Sequence, residues 1–212
     1  MTDTRRDFNT VASSWDEEPR RVQLAERVSA AILEAIPLDS HMDVLDFGCG
    51  TGLLTLALQP FVRTITGVDS SQGMLDVLNG KIASQCLSHV QTRHVDMDAG
   101  DVLTGSYHLV VSSMTLHHVQ DTAKLLKVLH DILVPGGCIG IADLDTDGGK
   151  FHSDNTGVFH FGFERERLRD IFIGAGFENV HDRTAATLRK PVEGSGEQDF
   201  SVFLMTGYRA RS

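Results

Sequence analysis

Three glycines at alternate positions, Gly48, Gly50 and Gly52, lie between an apolar run at residues 42–47 and another at 53–58. Where a strand turns into a helix, such a bare chain presents backbone N–H groups with no side chains in the way, a cradle for a ligand. Carboxylates gather around it: Asp46 stands two residues before Gly48, Asp69 closes the run 64–68, and Asp96 follows the run 90–95. A carboxylate at the end of a second strand accepts the hydroxyls of a ribose, which is the role expected of Asp69. Asp46 would repel a pyrophosphate but welcome an ammonium group, and the loop lacks the extra residue that dinucleotide-binding folds place before their third glycine. Three acidic strand ends at one sheet edge suit a nucleoside with a cationic tail.

A second group is rich in histidine. His117 and His118 follow the run 108–112, and the stretch 146–163 carries His152 and His160 among Phe151, Phe159, Phe161 and Phe163. Apolar walls with a few polar groups suit a pocket for a small molecule, and histidine is the natural base near neutral pH. His117, His152 and His160 are therefore the candidate catalytic groups. A metal site built from them with Asp143 or Asp145 is not expected, because no ligand pair has helical i, i+4 spacing.

The elements that must position these residues alternate in period. Short apolar runs at 42–47, 64–68, 90–95, 108–112 and 138–142 read as strands buried on both faces. Between them, Met74, Leu75, Leu78 and Ile82, and then Leu125, Leu126, Leu129, Ile132 and Leu133, recur at helical spacing, the second set stopping at Pro135-Gly136-Gly137. This alternation implies a mostly parallel sheet covered on both sides. A leading amphipathic helix is expected over 20–36, and a terminal antiparallel hairpin over 177–189 and 199–208.

The 212 residues fit one domain, and the net charge of −10 disfavours attraction to nucleic acid or anionic membranes. No run approaches the roughly 18 apolar residues of a membrane span, and the first residues are not those of a signal peptide. The three cysteines, Cys49, Cys86 and Cys138, have no paired metal spacing and read as reduced thiols, so a cytoplasmic location is expected.

In order and spacing, residues 44–52 (VLDFGCGTG), 67–75 (GVDSSQGML), Asp96-Met97, 109–119 (LVVSSMTLHHV) and 133–137 (LVPGG) resemble a class I S-adenosylmethionine-dependent methyltransferase. The branch they are similar to is the small-molecule one that includes quinone-biosynthesis C-methyltransferases. The resemblance implies a Rossmann-like seven-stranded sheet of order 3-2-1-4-5-7-6 with the last strand antiparallel. It implies S-adenosylmethionine as cofactor and S-adenosylhomocysteine as product, held by Asp46, Gly48, Cys49, Gly50, Gly52, Asp69, Ser70, Met74, Asp96, Met97 and Ser112. Asp96 and Met97 would face the adenine edge, and Cys49 would contribute backbone alone.

Residues 8–16 resemble the family's leading segment, so 1–36 is expected to form a cap and leading helix, and 146–163 part of the methyl-acceptor site. The expected activity is in-line methyl transfer to a small molecule. The rivals are a non-catalytic module that binds the same cofactor and, against the glycine spacing, an NAD-dependent oxidoreductase. The residues leave open the methyl acceptor, the atom methylated and the oligomeric state.

Overall fold

Val44 and Leu45 are neighbours and both are fully buried, yet they belong to hydrophobic clusters on opposite faces of the sheet, as do Leu109 and Val110. Successive side chains of a strand point to opposite faces, so a strand covered on both sides is apolar without a break. In the computed structural model, which describes residues 6–192, Gly194 and residues 196–211, the strands are β1 (Asp43–Phe47), β2 (Thr64–Asp69), β3 (Val90–His94), β4 (Tyr107–Ser113), β5 (Leu133–Leu144), β6 (Phe177–Val192) and β7 (Gly196–Arg209). They form one sheet of order β3-β2-β1-β4-β5-β7-β6. β1 runs parallel to β2 and β4, β2 to β3, and β4 to β5, while β7 is antiparallel to both β5 and β6. This is the order and the reversed strand that the resemblance implies.

The helices are α1 (Pro19–Ala35), α2 (Leu53–Leu58), α3 (Gln72–Ser84), α4 (Thr122–Asp131) and α5 (Arg165–Gly174). In α1, Pro19 opens the first turn and the Glu18 side chain accepts from Arg20 N. Leu24, Val28 and Ile32, one turn apart, bury against α2 and one sheet face. Leu125, Leu126 and Leu129 of α4 and Leu168 and Phe172 of α5 cover the other face. Among the described residues no helix is long and apolar enough to cross a membrane.

Two boundaries differ from the sequence expectation. α4 stops at Asp131, and Leu133 already pairs with Tyr107 in β5, which then passes through Pro135-Gly136-Gly137. Gly136 has a φ of +79°, and the register against β4 slips before Cys138 meets Leu109, so the breaker makes a bulge inside a strand rather than a loop before it. The hairpin strands extend beyond 177–189 and 199–208, because β6 is an edge strand on which Pro191 costs no ladder hydrogen bond.

Candidate active site

The parallel register brings the carboxyl ends of β1, β2, β4 and β5 to one edge, and the chain order reverses between β1 and β4, where such sheets open a crevice. A cavity of about 730 Å³ occupies this place. Asp46, at 1% exposure, contributes to its floor and accepts a 2.6 Å hydrogen bond from Thr55 Oγ1. Burial pushes its carboxyl up to about 7; the Thr55 bond opposes this shift and the nearby Asp69 charge adds to it.

The glycines divide the work. A Cβ on Gly48 (φ +70°) would stand 2.3 Å from Thr115, so the residue lets β4's exit loop close onto the turn. A Cβ on Gly50 (φ +53°) would meet nothing within 4 Å, since this backbone faces the cavity. Gly52 (φ +83°) caps α2 against Leu78 and lies outside the cavity lining. Cys49 donates its N–H to Val68 O at 3.0 Å, and burial raises its thiol well above the ordinary range, so it stays a neutral thiol.

Asp69 accepts from Gly50 N at 2.8 Å through Oδ2 and from Ser71 N at 2.9 Å through Oδ1, tying the glycine loop to the start of α3. Burial raises its pKa against those backbone bonds. Ser70 and Met74 line the cavity beside it, and Met74 is also 2% exposed, so one side chain packs the core and forms the wall. Asp96 and Met97 close the same end; Asp96 Oδ1 accepts from Asp98 N and Ala99 N, which orders the turn. Ser112 is not part of the lining: it is buried within β4 and donates to Phe47 O at 2.7 Å, bracing two strands.

The leading segment crosses the mouth. Residues 1–5 of the expected cap lie outside the described residues, but Asn9–Glu17 forms a 3-10 helix fastened at both ends. Asn9 Oδ1 accepts from Ser71 Oγ at 2.9 Å and Gly73 N at 2.8 Å; Asp16 takes Thr51 Oγ1 at 2.6 Å and pairs with Lys81. Phe8 and Trp15, edge to face at 5.9 Å, form the roof.

The opposite end is built of imidazoles. His117, 1% exposed on the short turn after β4, directs Nδ1 at Asp143 Oδ1 (2.7 Å) at the end of β5, and its backbone N–H bonds Asp143 Oδ2 at 3.2 Å. Burial alone would raise the Asp143 pKa, but the His117 charge and hydrogen bond, with the N–H groups of Leu144 and His117, hold it below the ordinary value. His152 faces His117, Nε2 to Nε2, at 3.2 Å, and His118 Nδ1 bonds Gly157 O at 2.7 Å. Burial and the neighbouring His117 lower His118 to about 4 and His152 to about 3, so both rings are neutral at neutral pH. His117, His118 and His152 all line the cavity.

His160 does not join them. Its Nε2 meets Val119 O at 3.0 Å and its ring packs on Phe163 at 5.1 Å, outside the lining. Of the insert's phenylalanines Phe151 alone reaches the cavity; Phe159 and Phe161 are 41% and 49% exposed, and Phe163 turns into the core. Phe159 and Phe161 face solvent while His160 and Phe163 pack against each other, so a shared composition does not give a shared wall. Asp143 and His118 carry more of this end than the sequence reading gave them. A buried acid at the end of a strand, opposite a His-His pair, is the signal that points to them.

Residues 20–182 match the methyltransferase domain family. An uncharacterized methyltransferase of Schizosaccharomyces pombe is 33% identical over 156 residues, 66% of this chain and 55% of that protein. Demethylmenaquinone methyltransferase of Lactobacillus johnsonii is 33% identical over 146 residues, 64% of this chain and 58% of the other. The aligned region thus spans little more than half the length of these curated relatives. In structure, phosphoethanolamine N-methyltransferase 2 of Haemonchus contortus, crystallised with S-adenosyl-L-methionine, superposes with a TM-score of 0.69 at 15% identity, covering 97% of this chain and 60% of its own. With its sheet order, glycine turn and acidic strand ends, the chain belongs to the class I S-adenosylmethionine-dependent methyltransferase family.

Proposed function

We propose that this chain transfers the methyl group of S-adenosylmethionine to a small-molecule acceptor, in the cytoplasm. The observation that carries the reading is the division of one cavity into two unlike ends, acids and bare backbone at one and imidazoles and aromatic rings at the other. The acid end fits the cofactor. Gly50 leaves room for it, and buried Asp46, whose neighbouring charge is another carboxylate, gains from a ligand ammonium. Asp69 would hold the ribose hydroxyls, Asp96 and the Met97 backbone the adenine edge, and Met74 the adenine face.

The cofactor supplies an electrophilic methyl on an activated sulfonium leaving group. The chain's part is then to align the methyl acceptor and exclude water, which contributes up to about 7–11 kcal/mol of the barrier. Phe8, Trp15 and Phe151 shield the site, and where the methyl acceptor must lose a proton, Asp143-supported His117 is placed to take it while neutral His152 beside it can only orient the acceptor. Calorimetry with S-adenosylhomocysteine and NAD tests the first half: binding of the former alone is expected, and NAD binding alone overturns it. Transfer of labelled methyl from S-adenosylmethionine to low-molecular-weight extract tests the second; labelling confined to protein or nucleic acid refutes a small-molecule acceptor.

A further inference from the structure

We infer that His117, His118 and His152 bind a divalent first-row transition-metal ion, zinc in class, at the histidine end of the cavity. One ring nitrogen from each of the three lies within 4.8 Å of the others. The closest pair, His117 Nε2 and His152 Nε2, is 3.2 Å apart. Two nitrogens about 2.0–2.1 Å from one tetrahedral ion stand about 3.3 Å from each other, so this pair already has the spacing of coligands.

The protons point the same way. A carbonyl oxygen only accepts, so His118 Nδ1, 2.7 Å from Gly157 O, carries the hydrogen and Nε2 carries the lone pair. Asp143 does the same for His117 through Nδ1, and the proton shared between His117 Nε2 and His152 Nε2 is the one a divalent ion would displace on binding. A carboxylate or carbonyl behind the far ring nitrogen is the support that fixes the tautomer of metal-bound histidines. The frame is held from three directions: Asp143 from β5, the turn after β4, and the insert, which is pinned where Phe159 N and His160 N both donate to His117 O at 3.0 and 3.2 Å. Three protein ligands leave a fourth position open toward the cavity, the arrangement of exchangeable rather than purely structural sites. The sequence hides the set because two ligands are adjacent and the third comes from a different element.

What the ion does there rests on the methyl-transfer reading; its binding does not. A hydroxyl or thiol of the methyl acceptor bound at the open position is acidified, its proton leaves to solvent, and the oxygen or sulfur attacks the methyl as the sulfonium leaves as a thioether. The ion thereby takes over the proton-withdrawing task of His117, and the methyl acceptor class narrows to hydroxyl- or thiol-bearing small molecules.

The test uses the full chain without a histidine tag, stripped with chelator and titrated with Co2+ and then Zn2+. Expected are one Co2+ per chain, the intense visible absorption of four- or five-coordinate cobalt, and its loss on adding Zn2+. His118→Ala and His152→Ala should each weaken Co2+ binding by more than about tenfold, with circular dichroism confirming the fold, and His160→Ala should leave it unchanged. S-adenosylhomocysteine is titrated into the same samples. Tight binding of it without Co2+ uptake, or Co2+ uptake that survives the double variant of His118 and His152, overturns the metal site. Histidine-dependent Co2+ uptake without S-adenosylhomocysteine binding supports the metal site and overturns the methyl-transfer reading instead.

Discussion

Asp46 and Asp143 are the same residue type, both essentially buried, both at the carboxyl edge of the sheet, and their carboxyls are shifted in opposite directions. Asp46 has a hydroxyl and another carboxylate for neighbours, and burial pushes it up to about 7. Asp143 has the His117 ring and two backbone N–H groups, and is held below its ordinary value despite the same desolvation. The difference teaches that burial sets the cost of a charge while the partner decides whether it is kept. At the acid end the partner must arrive with a ligand; at the histidine end it is part of the chain.

The strongest test removes the internal partner. Asp143→Ala strands three buried donors, the His117 ring N–H and the backbone N–H groups of His117 and Leu144, and should cost about 3–5 kcal/mol in denaturant unfolding. A loss under about 1 kcal/mol would mean that Asp143 is no more committed to its partner than Asp46. Asp46→Asn is expected to weaken S-adenosylhomocysteine binding by about 1.5–3 kcal/mol in calorimetry, the worth of a hydrogen bond to a charged group. The sign of its effect on stability is opposite. A carboxyl raised from 3.8 to about 7 on folding stabilises the chain fully below its unfolded value, and that stabilisation is lost as pH rises through 7. The ligand-free Asp46→Asn chain should therefore gain on the wild type as pH rises from about 4 to about 7, a comparison that thermal melts across this range check.

A smaller effect sharpens the same contrast: an ammonium-bearing ligand must displace the Asp46 proton, so wild-type affinity should fall up to about tenfold per pH unit below about 7. The Asp46→Asn chain should show a flat profile. A sloping profile in the variant would place the titrating group elsewhere. The smallest expected change is Asn9→Ala, which removes the two hydrogen bonds fastening the leading segment to Ser71 and Gly73, with an exposed third to Asp7, and should cost roughly 0.5–1.5 kcal/mol, read as faster S-adenosylhomocysteine release in stopped flow.

How much of this was legible in the sequence follows from distance along the chain. Asp46, Gly48 and Gly50 lie within five residues of each other, and Asp69 follows on the next strand, so motif spacing fixes their relative places. The His117 contacts with Asp143 and His152 span 26 and 35 residues, and no local period records them. Ser112 belonged to a motif but points into the strand interface, and His160 shared the insert's composition but not its direction. In the fold, the alternation of apolar periods was readable because both faces of the inner strands are covered. The start of β5 was not, because Leu133 continues the helical period of α4 while its backbone already pairs with Tyr107.

The insert's two ends meet. Phe163 N bonds Leu144 O at 2.9 Å, Asp145 and Phe163 pair as a parallel bridge, and Gly162 (φ +75°) packs so closely that a Cβ would stand 2.1 Å from Asp145 O. The sheet therefore receives the chain back beside the point where it left, and the intervening residues are a detachable module in the architectural sense. Lengthening such a loop is cheap, since each doubling of its length costs only about 0.6 kcal/mol of closure entropy. Variation between residues 146 and 161 can thus reshape one wall of the cavity while the strand ends that hold the other wall keep their register. On the methyl-transfer reading, changes in the methyl-acceptor wall are expected to be separable from foldability, with Gly162 fixing the point where the chain returns.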